Sequence, residues 1–228
     1  MPEIDQARRQ LLRRSPLFSR LGDAEADAIL AHAKLVHYPH GATIFTKGEP
    51  GNSMMAVLSG RVTITAPSPD GRQIVLSVLR EGEVFGEIAL LDGKERTADA
   101  RAEMDCELLV VARQDFLRVL RHQPELCLPL LMVFCERIRR TDEQVEDFAF
   151  LHLETRIAKT LLRLAEEQNG GQMTPAVGVR ISQRALGEIV GGSRESVNKH
   201  LQDWKRAGII AIEKGGIRIR DVGALSGS

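Results

Sequence analysis

Between residues 35 and 111 the apolar residues come in short runs closed by turn-forming residues, and that cadence confines this part of the chain to a small β fold. The runs cover 35–38 before Pro39-His40-Gly41, 43–45 before Gly48-Glu49-Pro50-Gly51, 53–58 before Gly60, 62–66 before the turn 67–71, then 73–79 and 106–111. Strands at this spacing predict a jelly-roll-like β-roll. On either side the period is helical. Leu17, Leu21, Ala24, Ala28 and Leu30 predict one or two short helices over 15–33, and 113–121 reads as another. The expected fold class is α+β.

Pro124 suits the first position of a long helix. Along it Leu128, Leu131, Cys135, Ile138, Val145 and Ala149 recur in alternating steps of three and four, with Asp142 in the one gap. This is the heptad seam of a two-stranded coiled coil and predicts a parallel homodimer; the alternative is a stripe that packs on the roll. Two facing copies of Asp142 would be costly out of water, so something must compensate them. A break near 150–152 predicts a hinge. Helical spacing then resumes over 151–167 with Ile157, Leu161, Leu162 and Leu164, and the Gly-rich stretch 168–177 is a loop.

Residues 85–100, FGEIALLDGKERTADA, place a Gly-Glu pair, a short apolar run and an Arg-Thr pair between strand-like segments. Gly86 permits close backbone approach, Ile88 begins a helical turn whose free N–H groups suit an anion, and Arg96 can close on that anion with a forked pair of hydrogen bonds. Glu87 then accepts from hydroxyls. A phosphate beside a vicinal hydroxyl describes a nucleotide. The plainer reading makes Glu87 and Arg96 a surface ion pair flanking a β-bulge, worth little to stability.

Towards the C-terminus, Ser182 can cap a helix through Ile189, Gly191-Gly192 makes a turn, and Ser193 can cap a second helix to about Arg206. Leu186, Ile189, Val197 and Leu201 face inward in that arrangement, which is a helix-turn-helix. A β-hairpin wing follows over 209–212 and 217–220, across Lys214-Gly215-Gly216. The polar side of the second helix, Arg194, Glu195, Asn198 and Lys199, suits a major groove or else is a solvated face. Residues 171–228 carry nine basic and five acidic side chains although the whole chain balances 31 against 31, so this end leans toward a polyanion.

The cradle resembles the phosphate-binding cassette of cyclic-nucleotide-binding domains, in which Gly-Glu and Arg-Ser/Thr-Ala carry the ligand. GEIVGGSRESV is similar to the helix-turn-helix of the cyclic AMP receptor protein branch of the superfamily that also contains the fumarate and nitrate reductase regulators. The resemblance implies a homodimeric transcription regulator switched by a cyclic nucleotide, with a β-roll domain at 1–122, a dimerisation helix and hinge at 123–150, and a winged helix-turn-helix domain at 151–228. It implies that Gly86, Glu87, Ile88, Arg96, Thr97 and Ala98 bind the effector, Glu87 at the ribose 2′-hydroxyl and Arg96 with Thr97 at the cyclic phosphate. Thr141 and Asp142 would meet the base, Thr141 reaching the ligands of both subunits.

On the same resemblance Ser182, Gln183, Ser193, Arg194, Glu195, Asn198 and Lys199 touch double-stranded DNA, a palindrome of TGTGA-like half-sites. Arg194 would donate to guanine O6/N7, Glu195 accept from cytosine N4, and Lys199 reach a further guanine or phosphate. RNA polymerase is an implied partner. Cyclic AMP is the effector that the family implies. Cyclic GMP is the contender, because Asp142 stands where cyclic AMP-binding relatives commonly carry a hydroxyl, and a carboxylate can only accept. A ligand-independent DNA-binding regulator with a degenerate pocket is the alternative.

Composition narrows the rest. With 43% hydrophobic and 27% charged residues, large-scale disorder is not expected. No apolar run approaches the roughly 20 residues that cross a membrane, and the first residues lack the apolar core of a signal peptide, so a cytoplasmic protein is expected. Cys106, Cys127 and Cys135 lack metal-ligand spacing and read as reduced core thiols; without cysteines before 106, an iron–sulfur oxygen sensor has no ligands. His37, His40 and His122 are scattered, and neither metal nor haem is expected. No histidine–aspartate constellation adjoins the cradle, which argues against a nucleotide-processing enzyme.

Overall fold

The computed structural model describes residues 27, 29–68, 73–169 and 177–227. Most of the helices expected over 15–33, of the turn 67–71 and of the loop 168–177 lies outside them. The chain divides into two compact units, Met1–Arg140 and Thr141–Ser228.

In the first unit β1 (Lys34–Tyr38), β2 (Thr43–Phe45), β3 (Ser53–Ser59), β4 (Val62–Pro67) and β5 (Gln73–Leu79) are followed by β6 (Val84–Phe85), the short helix α1 (Glu87–Asp92), β7 (Asp99–Ala102) and β8 (Cys106–Ala112). They form two antiparallel four-stranded sheets, ordered β1-β8-β3-β6 and β2-β7-β4-β5. β3 reads SMMAVLS because it is buried on both faces. Met55 and Val57 join Phe45, Val62, Leu79 and Leu108 in a core with members from both sheets. Met54, Ala56 and Leu58 point the other way, into a second core with Leu90, Phe116, Val119 and Leu130.

That second core is closed by α2 (Arg113–His122) and the start of α3 (Cys127–Phe150), with a single 3-10 turn, Pro124–Leu126, between them. Pro124 therefore opens the 3-10 turn rather than the long helix itself. Leu126, Leu130, Val133 and Phe134 are the residues that pack on the roll. The seam is a different stripe: Leu128, Ile138 and Val145 are about three-fifths exposed in the single chain, at 60%, 59% and 60%. The alternative in which the seam packs on the roll is thereby overturned. So is the reading of all three cysteines as core thiols, since Cys106 is buried but Cys127 and Cys135 are exposed on the uncovered sides of α3.

The second unit contains α4 (Leu153–Gln168), β9 (Val177–Val179), α5 (Gln183–Val190), α6 (Arg194–Arg206), β10 (Ile210–Glu213), β11 (Gly216–Ile219) and α7 (Val222–Ser226). The expected hairpin gains a third strand, in the order β10-β11-β9, and Gly216 lies in β11 rather than in the turn. One core of Ile157, Leu161, Leu186, Val197, Leu201, Trp204, Ile217 and Ile219 joins helices and sheet. Among the described residues no helix is long and apolar enough to cross a membrane, and no group of three His, Cys, Asp or Glu side chains could hold a metal ion.

Candidate functional site

The chain leaves β6, turns at Gly86 and enters α1. Gly86 has φ 77°, a left-handed conformation open to glycine, and a Cβ there would stand 2.6 Å from Nη1 of Arg96. The next residue, Glu87, is the first of α1 and is buried. Its Oε1 accepts from Nη1 of Arg137 on α3, whose Nη2 donates to the Val84 carbonyl. Arg137 lies outside the cassette, and the sequence reading, which followed the apolar seam, missed it. Arg137 stands one helical turn before Thr141, but no local signal ties it to Glu87, 50 residues earlier.

Arg96 is buried as well, at 5% exposure. Nη1 donates to the Gly86 carbonyl at 2.8 Å, Nη2 donates to Oγ of Ser53 at 3.1 Å, and the guanidinium lies 4.3 Å from the Phe45 ring centroid. Burial pushes its pKa below the ordinary arginine value, and the Glu49 and Glu87 carboxylates pull it back up. The loop 48–51 holds its backbone: Arg96 N–H donates to the Glu49 carbonyl at 2.8 Å and Gly48 N–H to the Arg96 carbonyl at 2.9 Å. Neither residue is part of a surface ion pair. Among the described residues, Oε2 of Glu87 and Nε of Arg96 are both buried and find no hydrogen-bond partner.

A buried acceptor and a buried cationic donor with unspent capacity can bind a group that is anionic at one end and carries hydroxyls at the other. Ala98 is buried in the bend just before β7, and Ile88 and Thr97 are exposed. Thr141 and Asp142 are exposed on α3, four and five residues after Arg137.

In the second unit both predicted caps form. Oγ of Ser182 accepts from the Ala185 N–H at 3.0 Å, next to Gln183 at the start of α5, and Oγ of Ser193 accepts from the Ser196 N–H at 3.1 Å. Between the helices Gly191 has φ 65°, and a Cβ there would meet the Phe148 ring at 2.9 Å. Arg156 ties the junction of α3 and α4 to this turn: Nε donates to the Val190 carbonyl and Nη1 to the Leu151 carbonyl, each at 3.1 Å. With Val197, Leu201 and Trp204 buried, α6 leaves Arg194, Glu195 and Lys199 exposed at its N-terminal half. Asn198 is half-buried and its Oδ1 accepts from Nε2 of Gln202 at 3.4 Å.

A β-roll with this cradle and a winged helix-turn-helix on the same chain define a ligand-binding, DNA-binding regulator. The profile of the cyclic nucleotide-binding domain matches residues 35–123, and that of the Crp-like helix-turn-helix domain matches 155–227. A CRP-like cAMP-activated global transcriptional regulator of Mycobacterium tuberculosis is 32% identical over 93% of this chain and 95% of its own length. The cyclic AMP receptor protein of Thermus thermophilus is also 32% identical, over 92% and 95%. Among solved structures, the c-di-GMP responsive global regulator CLP of Xanthomonas campestris superposes with a TM-score of 0.80 at 24% identity, over 87% of this chain and 99% of that one, and shares the fold.

The chain belongs to the CRP/FNR family of transcription regulators. It is a cyclic-nucleotide-binding, DNA-binding transcription regulator, not an enzyme.

Proposed function

We propose that the chain works in the cytoplasm as a homodimer that binds cyclic AMP and then a palindrome of TGTGA-like half-sites, where it meets RNA polymerase. The observation that carries the effector reading is the pair of buried, unmatched atoms, Arg96 Nε and Glu87 Oε2, among the residues of one cradle. Arg96 and Thr97 take the cyclic phosphate and Glu87 the ribose hydroxyl, with Gly86, Ile88 and Ala98 shaping the cradle. The choice of cyclic AMP follows the two relatives named for it. Residues 1–122 form the effector domain, 123–150 the dimer helix and hinge, and 151–228 the DNA-binding domain. The exposed seam on α3 supports the dimer, because an apolar stripe of that length is otherwise left in water.

In this reading the Glu87–Arg137 pair links cradle to dimer helix, and ligand binding re-registers the seam near Asp142. A nucleotide can do this only by binding the active state more tightly than the inactive one. The second reading, cyclic GMP, is favoured by Asp142. Guanine presents N1–H and N2–H side by side to an acceptor, whereas adenine offers its N6 amino group alone. Isothermal titration with both nucleotides, repeated on Asp142→Ser, decides. Tighter cyclic AMP binding that survives the substitution is the expected result, and tighter cyclic GMP binding that collapses in the variant makes Asp142 a guanine reader. No heat with either nucleotide removes the effector reading.

On the DNA side Ser182, Gln183, Ser193, Arg194, Glu195, Asn198 and Lys199 form the contact set. Arg194→Ala is expected to weaken specific binding by about 1–3 kcal/mol and to relax the preference at one base pair of each half-site, measured by fluorescence anisotropy on a set of singly substituted duplexes.

A further inference from the structure

We propose that Arg113 is a positioning residue of the nucleotide cradle: its guanidinium holds the carboxyl end of α1 and so fixes where Glu87, at the other end, meets the ligand. The inference rests on the reading of Glu87 as a ligand acceptor.

α1 has six residues, is capped by Gly86 before it and Gly93 after it, and has no basic residue in its last turn. A helix this short does not hold itself together, and the carbonyls of its last turn need donors from elsewhere. Arg113, the first residue of α2, supplies them. Nε donates to the Leu90 carbonyl at 2.6 Å and Nη2 to the Leu91 carbonyl at 3.3 Å. A guanidinium at this end also lies where the helix dipole favours a cation.

The mounting is firm. Arg113 N–H donates to the Asn52 carbonyl at 2.9 Å, at the entrance to β3, and Phe116 on the same helix is buried in one core with Leu90. Three arginines therefore fasten α1: Arg96 on the Gly86 carbonyl, Arg137 on Glu87, and Arg113 on Leu90 and Leu91. The first two act beside the ligand. Arg113 acts through the helix, so its loss lets the Glu87 end drift and shortens the lifetime of the bound state, with little effect on how fast ligand arrives.

The test is stopped-flow displacement of a fluorescent cyclic AMP, labelled on the base, from the full chain, comparing wild type with Arg113→Met, Arg113→Lys and Leu79→Ala. Arg113→Met is expected to raise the dissociation rate constant about tenfold and to leave the association rate constant within about twofold. Arg113→Lys, which keeps the charge and loses the fork, falls between. Leu79→Ala opens space in the core between the two sheets, which holds no residue of α1, so it lowers the melting temperature and leaves dissociation unchanged. Equal dissociation from wild type and Arg113→Met overturns the inference, as does a matching rise in Leu79→Ala. Should Arg113→Met not fold, Arg113→Lys carries the same comparison. A wild-type chain that takes up neither labelled cyclic AMP nor labelled cyclic GMP overturns the reading of the cradle, and this inference with it.

Discussion

Arg96→Ala is expected to lower the affinity for cyclic nucleotide about a hundredfold, read by isothermal titration. The guanidinium has already been desolvated by folding, and two of its nitrogens are fixed by the Gly86 carbonyl and Ser53, so little order is lost when a phosphate arrives. Alanine removes the charge and the donors together. Lysine restores the charge as a single point and cannot span two phosphate oxygens, so Arg96→Lys recovers only part of the loss. If the cradle were degenerate, both substitutions would leave DNA binding where it was, with or without nucleotide.

Arg137→Met is expected to destabilise the folded chain by about 3 kcal/mol in urea unfolding, more than Glu87→Gln. Glu87 is the buried partner, with 3% of its side chain exposed against 33% for Arg137, so removing the arginine strands a carboxylate that cannot reach water. The figure sits at the lower end for a broken buried pair because the guanidinium is partly solvated. Adding Glu87→Gln to Arg137→Met recovers most of the loss, since the stranded charge is gone. A double-mutant cycle without coupling would show that the pair does not hold the cradle to α3.

The strands with alternating or wholly apolar patterns, β1 to β5 and β8, were legible in the sequence within a residue or two. β6, β7 and β9 were not, for a physical reason. Val84–Phe85 has two residues, Asp99–Ala102 reads DARA and Val177–Val179 reads VGV, so each is a strand because a longer neighbour pairs with it. The cradle was legible because glycine, acid and arginine stand at fixed offsets within one local segment. Arg137 comes to Glu87 from 50 residues away, and nothing in its own neighbourhood marks it. Cys127 and Cys135 were misplaced because a helical stripe tells which residues share a face but not what covers it.

The most direct test of the central claim is the affinity of the purified chain for a palindromic duplex with TGTGA-like half-sites, measured by fluorescence anisotropy at one fixed salt concentration, without nucleotide and then with saturating cyclic AMP or cyclic GMP. The account predicts binding at least about tenfold tighter with the effector nucleotide, and loss of that gain in Arg96→Ala. Equal affinity in all three conditions would contradict it and leave a DNA-binding regulator that does not listen to its roll.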